Sequence, residues 1–402
     1  MTIKDIYLKN KNSLLFSNDL NTLRSREKIL NKFSKEYFNK KYNESIKNIN
    51  VNLFNNFDYF YENKNNLSLI KNNEKRIYTL NIVNGSTDSY EDEKIKINPI
   101  KVNYDFSSYN YNNDFILDMN TLLTNSGYEL IIKKNQKIIL NILNTVSNER
   151  NTIFQKNIIK CEEGSQVTII ENYENNISYI NNIFSLIEIE CNSKIDHVIT
   201  QKNKKSNNLF FNTCAKCNKN AEYNQSIFNL SNGFVRNYHH ADLNQTGSVV
   251  NYNGVFFLKE SNIAENITFV RHKSKNCKSD QNYKGILNDS SKGIYNSYTL
   301  VEQEAQKTEG YQLSKGILLS NESSFFSKPE LRIKADDVKC SHGSTIGPID
   351  EQIIFYIRAR GINKKDAINI LVRSFIQDSI SRINNYIIEK KLESYVNQYL
   401  SN

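Results

Sequence analysis

The sequence predicts a mainly β protein, with a long all-β stretch set between two helical ends. Three observations carry this. Short runs of β-branched and aromatic residues recur from about Gly127 to Lys334: ELIIK (129–133), KIILNI (137–142), VTIIENY (167–173), FSLIEIE (184–190), NLFFNT (208–213) and SVVNYNGVFFL (248–258). Turn clusters separate them, among them EEGSQ (162–166), CNSK (191–194) and CNKNAE (217–222). Helical spacing is confined to the two ends of the chain. Apolar runs between turn signals at close intervals read as strands. Patches such as IIL and VFFL imply strands buried on both faces, and alternation elsewhere implies one wet face. With only 13 glycines and 3 prolines, the turns must lean on Asn, Ser and Asp. Asn serves there because it tolerates the left-handed conformation. No exact repeat period is visible, and a sandwich, a barrel and a β-helix all fit.

The ends read differently. Residues 1 to about 80 are polar and helical in pattern. Ser25 opens SREKILNKF (25–33) as a capping residue, with Ile29, Leu30 and Phe33 at helical spacing. The segment Asn84–Asp105 is turn-rich and charged and reads as a crossing. After Pro348, Asp350 is an N-cap for EQIIFYIRAR, and Gly361 is placed to end that helix. Asn363 caps a second helix, whose Asp366 suits the positive end of the helix dipole. Ala367, Ile370, Leu371 and Phe375 form its apolar stripe. A last amphipathic helix covers Ile387–Leu400.

Composition narrows the function classes. A chain of 402 residues, 39% hydrophobic and 11% aromatic, can bury a real core and is not disordered. The net charge of +9 comes from 52 basic and 43 acidic residues. The basic residues are scattered, with no Lys/Arg block, which argues against a nucleic-acid partner. The Asn, Lys and Ile bias, with Trp absent, is that of an A/T-rich genome. Six cysteines are too sparse for a disulfide framework and fit a reducing compartment. No apolar run reaches the ~18–20 residues of a membrane helix. The first residues lack the basic-then-apolar plan of a signal peptide. The expected location is therefore cytoplasmic, or the plastid stroma for an organellar gene.

Few residues carry chemistry. Cys340 and His342 stand two apart, so on a strand they face one side. Thiolate and imidazole are both suitable iron ligands. Cys214 and Cys217 form a CxxC with no second pair at finger spacing, which reads as solvent-facing turn cysteines rather than a metal site. His239 and His240 point opposite ways on a strand. His272 and Cys277 read as surface or rung residues, and His197 as a lone strand histidine. No phosphate loop occurs, since HGSTIG (342–347) lacks its lysine. Asp336 and Asp337 are adjacent. They cannot converge as the carboxylate pair of a carbohydrate-active β-helix enzyme.

The block Tyr283–Ile362 resembles the C-terminal half of the SufB/SufD family of iron–sulfur cluster assembly scaffolds. The matching pieces run in order: YKGIL (283–287), AQKT (305–308), ILLS (317–320), KPEL (328–331) and DDVKCSHG (336–343), followed by RARGI (358–362). Ser25–Phe33 and CEEGSQVTIIENY (161–173) extend the likeness more weakly. DDVKCSHG is of the SufD type, where the SufB type has a Glu-His-Glu-Ala-type segment. Ser344 and Arg332 stand where the family commonly has Ala and Glu, and the family also accepts Ala at the position of Cys340. The resemblance implies a right-handed parallel β-helix core flanked by N-terminal and C-terminal helical parts. It divides the chain into 1–105, 106–347 and 348–402. It also implies a non-catalytic scaffold that pairs with a SufB-type subunit through the β-helix ends, or forms a homodimer in isolation. A SufC-type ABC ATPase would dock on the C-terminal helices, through Asp350, Phe355, Tyr356, Arg358, Arg360 and Gly361. His342 and Cys340 would contribute to a transient iron–sulfur cluster shared with SufB. No nucleotide is expected on this chain, and neither a nucleic-acid nor a membrane partner.

Overall fold

A computed structural model of the chain describes residues 3–33, 47–49, 70–72, 77–101, 114–203, 207–230, 232–383 and 386–401. Two ten-stranded sheets face each other along its length. The first sheet runs β1 (Ile70–Asn72), β2 (Ile77–Val83), β6 (Lys137–Thr145), β8 (Gln166–Tyr173), β10 (Lys194–Gln201), β12 (Glu222–Asn229), β14 (Val249–Leu258), β16 (Lys278–Leu287), β18 (Thr308–Leu318) and β20 (Val338–Pro348). The second runs β3 (Tyr90–Glu91), β4 (Ile95–Pro99), β5 (Ser126–Ile132), β7 (Thr152–Cys161), β9 (Ile180–Ile189), β11 (Asn207–Cys217), β13 (Gly233–Leu243), β15 (Ile263–His272), β17 (Lys292–Val301) and β19 (Ser324–Ile333). From β5 onward the chain alternates between the sheets, and each strand pairs in parallel with the strand two further on. This is a parallel β-solenoid, the architecture that the family resemblance implied and that the residue pattern alone left among three. Among the described residues the antiparallel strand pairs are β1–β2, β3–β4 and β4–β5.

From β5 onward, register partners on successive coils lie 26 to 32 residues apart. That variation is why no exact period shows in the sequence. Register is nonetheless strict. On the second sheet Leu130, Ile159, Ile187, Ala215, Ala241 and Val270 form one inward column, all buried. Side chains alternate between axis and exterior, as strand geometry requires. Val255 and Phe257 in VFFL point out beneath the C-terminal helices, while Phe256 and Leu258 point into the core. In IIL only Ile138 and Leu140 are buried, and Ile139 is half exposed.

The turns use Asn as expected. Asn135, Asn192, Asn220 and Asn276 take positive φ, as do Gly164 and Gly247, at equivalent corners of successive coils. Asn220 Nδ2 donates to Asn192 Oδ1 at 3.1 Å, so the corner is a side-chain ladder as well. The next position is small in coil after coil: Ser165, Ser193, Ala221, Ser248 and Cys277.

Helices cover both outer faces. α1 (Ile3–Asn10), α2 (Leu20–Lys32) and α3 (Phe115–Leu123) lie on the second sheet. Ile6, Ile29, Phe115, Met119 and Leu122 pack there on Phe154, Ile180, Phe210 and Phe234. Asp19, not Ser25, caps α2, accepting from Thr22 N at 2.8 Å; Ser25 lies inside that helix. Helix α3 carries no signal recognised in the sequence, and strands begin at 70, inside the stretch read as helical. The Asn84–Asp105 segment contains the β3–β4 hairpin. Much of the remaining N-terminal stretch lies outside the described residues.

α4 (Glu351–Arg358), α5 (Lys364–Ser381) and α6 (Tyr386–Ser401) follow the solenoid. Asp350 and Asn363 cap α4 and α5 as expected. Helix α5 buries Ala367, Val372, Ile376 and Ile380, while Ile370 faces outward. The buried stripe is thus rotated from the one read in the sequence, because it must meet Val198, Phe228, Val255 and Ile286 of the first sheet. Two polar clasps hold it. Lys284, 4% exposed, bonds the Asp378 carboxylate and the Phe375 carbonyl. Glu174 accepts from the Tyr395 hydroxyl and pairs with Lys391 Nζ at 3.1 Å.

Gly127 follows from a close approach: at φ +148° a Cβ would lie 1.8 Å from the Lys156 carbonyl oxygen. Gly127→Ala is expected to cost more than about 2 kcal/mol, read by denaturant unfolding. The clasps predict an acid response. Burial alone would raise the Glu174 and Asp378 carboxyls, but Tyr395 with Lys391, and Lys284 with Arg382, hold both below the ordinary range. A carboxyl lowered in the fold adds stability at neutral pH and loses it as pH falls through the folded value. Below about pH 4.5, the ordinary glutamate value, α5 and α6 should become sensitive to an acid protease while the β circular-dichroism signal persists.

Candidate functional site

The solenoid ends in an open coil. β19 and β20 are the last strands of their sheets, and among the described residues neither outer edge is paired. Strand β20 carries DDVKCSHG's Cys340 and His342. Cys340 lies opposite Gly310 and His342 opposite Gln312 on β18. Gln312 is buried and points to the axis, donating Nε2–H to Thr299 Oγ1 at 2.8 Å and to the Glu330 carbonyl at 3.3 Å. The two-residue spacing therefore puts Cys340 and His342 on one side of the strand, along the axial face of the last coil. Cys340 is half-buried beside Val301, Ala305 and Ala335; His342 is exposed. Burial pushes the Cys340 thiol up, partly offset by the Gly310 backbone N–H. Asp336 and Asp337 lie in the exposed bend before β20.

Two donors do not close a metal site. Among the described residues no group of three or more His, Cys, Asp and Glu side chains is placed to hold a metal ion. Any metal or cluster bound at Cys340 and His342 would need further ligands from another chain.

His342 also ends a column that sequence reasoning missed. His197, Gln225, Tyr252, Gln281, Gln312 and His342 are successive register partners on the first sheet. The first five are buried. The available signal is the spacing of one coil, 28 residues, from His197 to Gln225 and of two coils, 56 residues, from Gln225 to Gln281, blurred by unequal coil lengths elsewhere.

The other cysteines and histidines lie inside the fold or on the faces beneath the helices, apart from Cys191, which is half-buried. Cys214 and Cys217 are 1% and 0% exposed in β11, not turn residues. A three-residue spacing on a strand sends them to opposite faces: Cys217 into the core and Cys214 under the N-terminal helices. Burial pushes both thiols up. His272 and Cys277 are interior; His272 Nε2 lies 2.9 Å from Ser279 Oγ. His239 faces the axis and contacts Thr213, while His240 faces outward against Asp242. His197 is not alone, since Tyr223 OH lies 3.0 Å from its Nδ1.

A second surface lies on α4. Only Ile354 of this helix is buried. Phe355 is 74% and Tyr356 60% exposed, with Ile353 beside them. Arg360 stacks on the Tyr356 ring at 3.7 Å, Arg358 is exposed, and Gly361 turns the chain at φ +87°.

Residues 143–375 match the family model described as SUF system FeS cluster assembly, SufBD core domain. The chain belongs to the SufBD family. This SufBD chain is 26% identical over 296 residues to the iron–sulfur cluster assembly protein SufD of Escherichia coli K12, covering 71% of this chain and 70% of that one. It is 25% identical over 364 residues to the SufD of Plasmodium berghei, covering 89% of this chain but 26% of the relative. The chloroplastic protein ABCI7 of Arabidopsis thaliana is 39% identical over 79 residues, 20% of this chain and 17% of its own length. It is thus a SufD-like iron–sulfur cluster assembly protein. No helix among its described residues is long and apolar enough to cross a membrane.

In the native SufBD chain, alkylation should reach Cys340 and Cys191 and spare Cys161, Cys214 and Cys217. Burial pushes the Cys161 thiol up to about 12. Cys340 should react more slowly than free cysteine at pH 7, as mass spectrometry of timed samples would show.

Proposed function

We propose that this chain is a non-catalytic scaffold subunit that pairs with a SufB-type partner through its open last coil. The carrying observation is that the edges of β19 and β20, unpaired among the described residues, and the donor pair Cys340–His342 share one end. An open parallel edge is a template for another chain's strands. A partner seated there would continue the sheets and add the missing ligands. Iron and sulfide are then cargo held at the junction, with His342 as the chief donor from this side and Cys340 assisting. An incomplete site suits cargo that must leave.

A SufC-type ATPase would dock on α4 and the start of α5, through Asp350, Phe355, Tyr356, Arg358, Arg360 and Gly361. Exposed apolar residues on a short helix, ringed by charge, support this reading. The ATPase would supply nucleotide chemistry that this chain's motifs do not. The division into 1–105, 106–347 and 348–402 follows the same reading: a clamp, a solenoid and a docking module. The setting would be the cytoplasm or plastid stroma. A second reading, a homodimer acting without SufB, is favoured by the same edges. Two copies can pair isologously across a two-fold axis.

Co-expression with SufB-type and SufC-type partners, followed by tag purification at moderate salt, tests this. A ternary complex is expected. His342→Ala should leave that complex intact and lower its iron and sulfide content several-fold, with Cys340→Ala weaker. A tagged chain that emerges alone, or as a dimer with both partners in the flow-through, overturns the heteromeric assignment.

A further inference from the structure

A separate cluster lies inside the early coils, away from the open end. Tyr128 on β5, Glu171 and Tyr173 on β8, and His197 on β10 all point to the axis and are at most 1% exposed. Tyr128 OH is 3.3 Å from Glu171 Oε1, and Tyr173 OH is 3.1 Å from Oε2. His197 Nε2 is 3.6 Å from the same Oε2 and has no hydrogen-bond partner. Its Nδ1 is engaged by Tyr223 OH at 3.0 Å. With the proton on Nδ1, that contact holds Nε2 as a lone-pair donor turned into the cluster.

We infer that these four side chains form a binding site for a ferric ion. Glu171 stands 3.1 to 3.6 Å from each of the other three donors, a separation that ligands sharing one ion with bonds of about 2.0–2.2 Å also have. Three oxygens and one imidazole are a hard donor set. Charge selects the valence. A carboxylate and two phenolates neutralise a trivalent ion completely, which matters where burial penalises every uncompensated charge. A divalent ion would leave a net charge or a protonated phenol. The two phenols complete the donor set that Glu171 and His197 begin. On binding, iron–oxygen bonds replace the two phenol O–H bonds and the protons leave to solvent, with no change of oxidation state. Without the ion, burial and then the Glu171 charge hold both phenols protonated, well above their ordinary range. The inference does not depend on the proposed role of the open end.

Ferric nitrilotriacetate tests it, added both to the folded full-length chain and during refolding, since burial requires the early coils to open. The expected result in at least one preparation is a visible tyrosinate-to-iron charge-transfer band with a single iron per chain. Tyr173→Phe and Tyr128→Phe, which keep the rings, should each diminish or shift the band, and His197→Gln should weaken binding on the order of tenfold or more. Tyr179→Phe and the Cys340→Ala/His342→Ala double variant should keep it. No band in either preparation, or a band unchanged in folded Tyr173→Phe and Tyr128→Phe, would show a purely hydrogen-bonded cluster and overturn the site. A band lost in the double variant would assign the iron to the open end instead.

Discussion

The structure depends on the parallel ladder that stacks each coil on the one before it. Because the backbone pairing is continuous from β5 to β20, a residue's decisive neighbour is not the next in sequence but the one some 28 positions on. Side chains therefore form columns, and each column must be compatible along its whole length. The left-handed Asn and Gly corners keep the coils aligned, and Asp196, Asn224 and Asn251 run as one hydrogen-bonded ladder on the outer face. A polar residue facing the axis is stabilised chiefly by polar residues in its own or the facing column. That explains why Gln281 and Gln312 share Thr299 across the core.

The same ladder creates an end. A solenoid cannot close on itself, so its last strands must present unpaired backbone. The helices manage the remaining exposure. The N-terminal set covers the second sheet, fastened by the buried Arg236 between Asp114 and Glu265. The C-terminal set covers the first sheet through the Lys284 and Glu174 clasps. The open coil and the exposed face of α4 are adjacent in the chain, because α4 follows β20 directly.

Burial separates the thiols and imidazoles into interior and accessible groups. Cys161, Cys214, Cys217, His239 and His272 lie within the fold. Burial lowers His239 to about 3 and His272 to about 4, so both are neutral at physiological pH. Cys340 and His342 differ because they sit on the terminal strand, where one flank of the column is missing.

The sequence by itself determined the family through DDVKCSHG and its neighbours, the strand-rich middle, the caps Asp350 and Asn363, and the shared side of Cys340 and His342. These are local signals, set by residue type and by the two-residue period of a strand. The residue pattern left three all-β architectures open, and the family resemblance carried by DDVKCSHG and its neighbours pointed to the β-helix that the strands form. Only the tertiary structure decided that Cys214 and Cys217 are buried apart, that α3 exists, and which stripe of α5 is covered. It alone brought Tyr128, Glu171, Tyr173 and His197 together. Coils of unequal length blur any simple period, so contacts between residues a whole coil apart leave only a faint pattern in a single sequence.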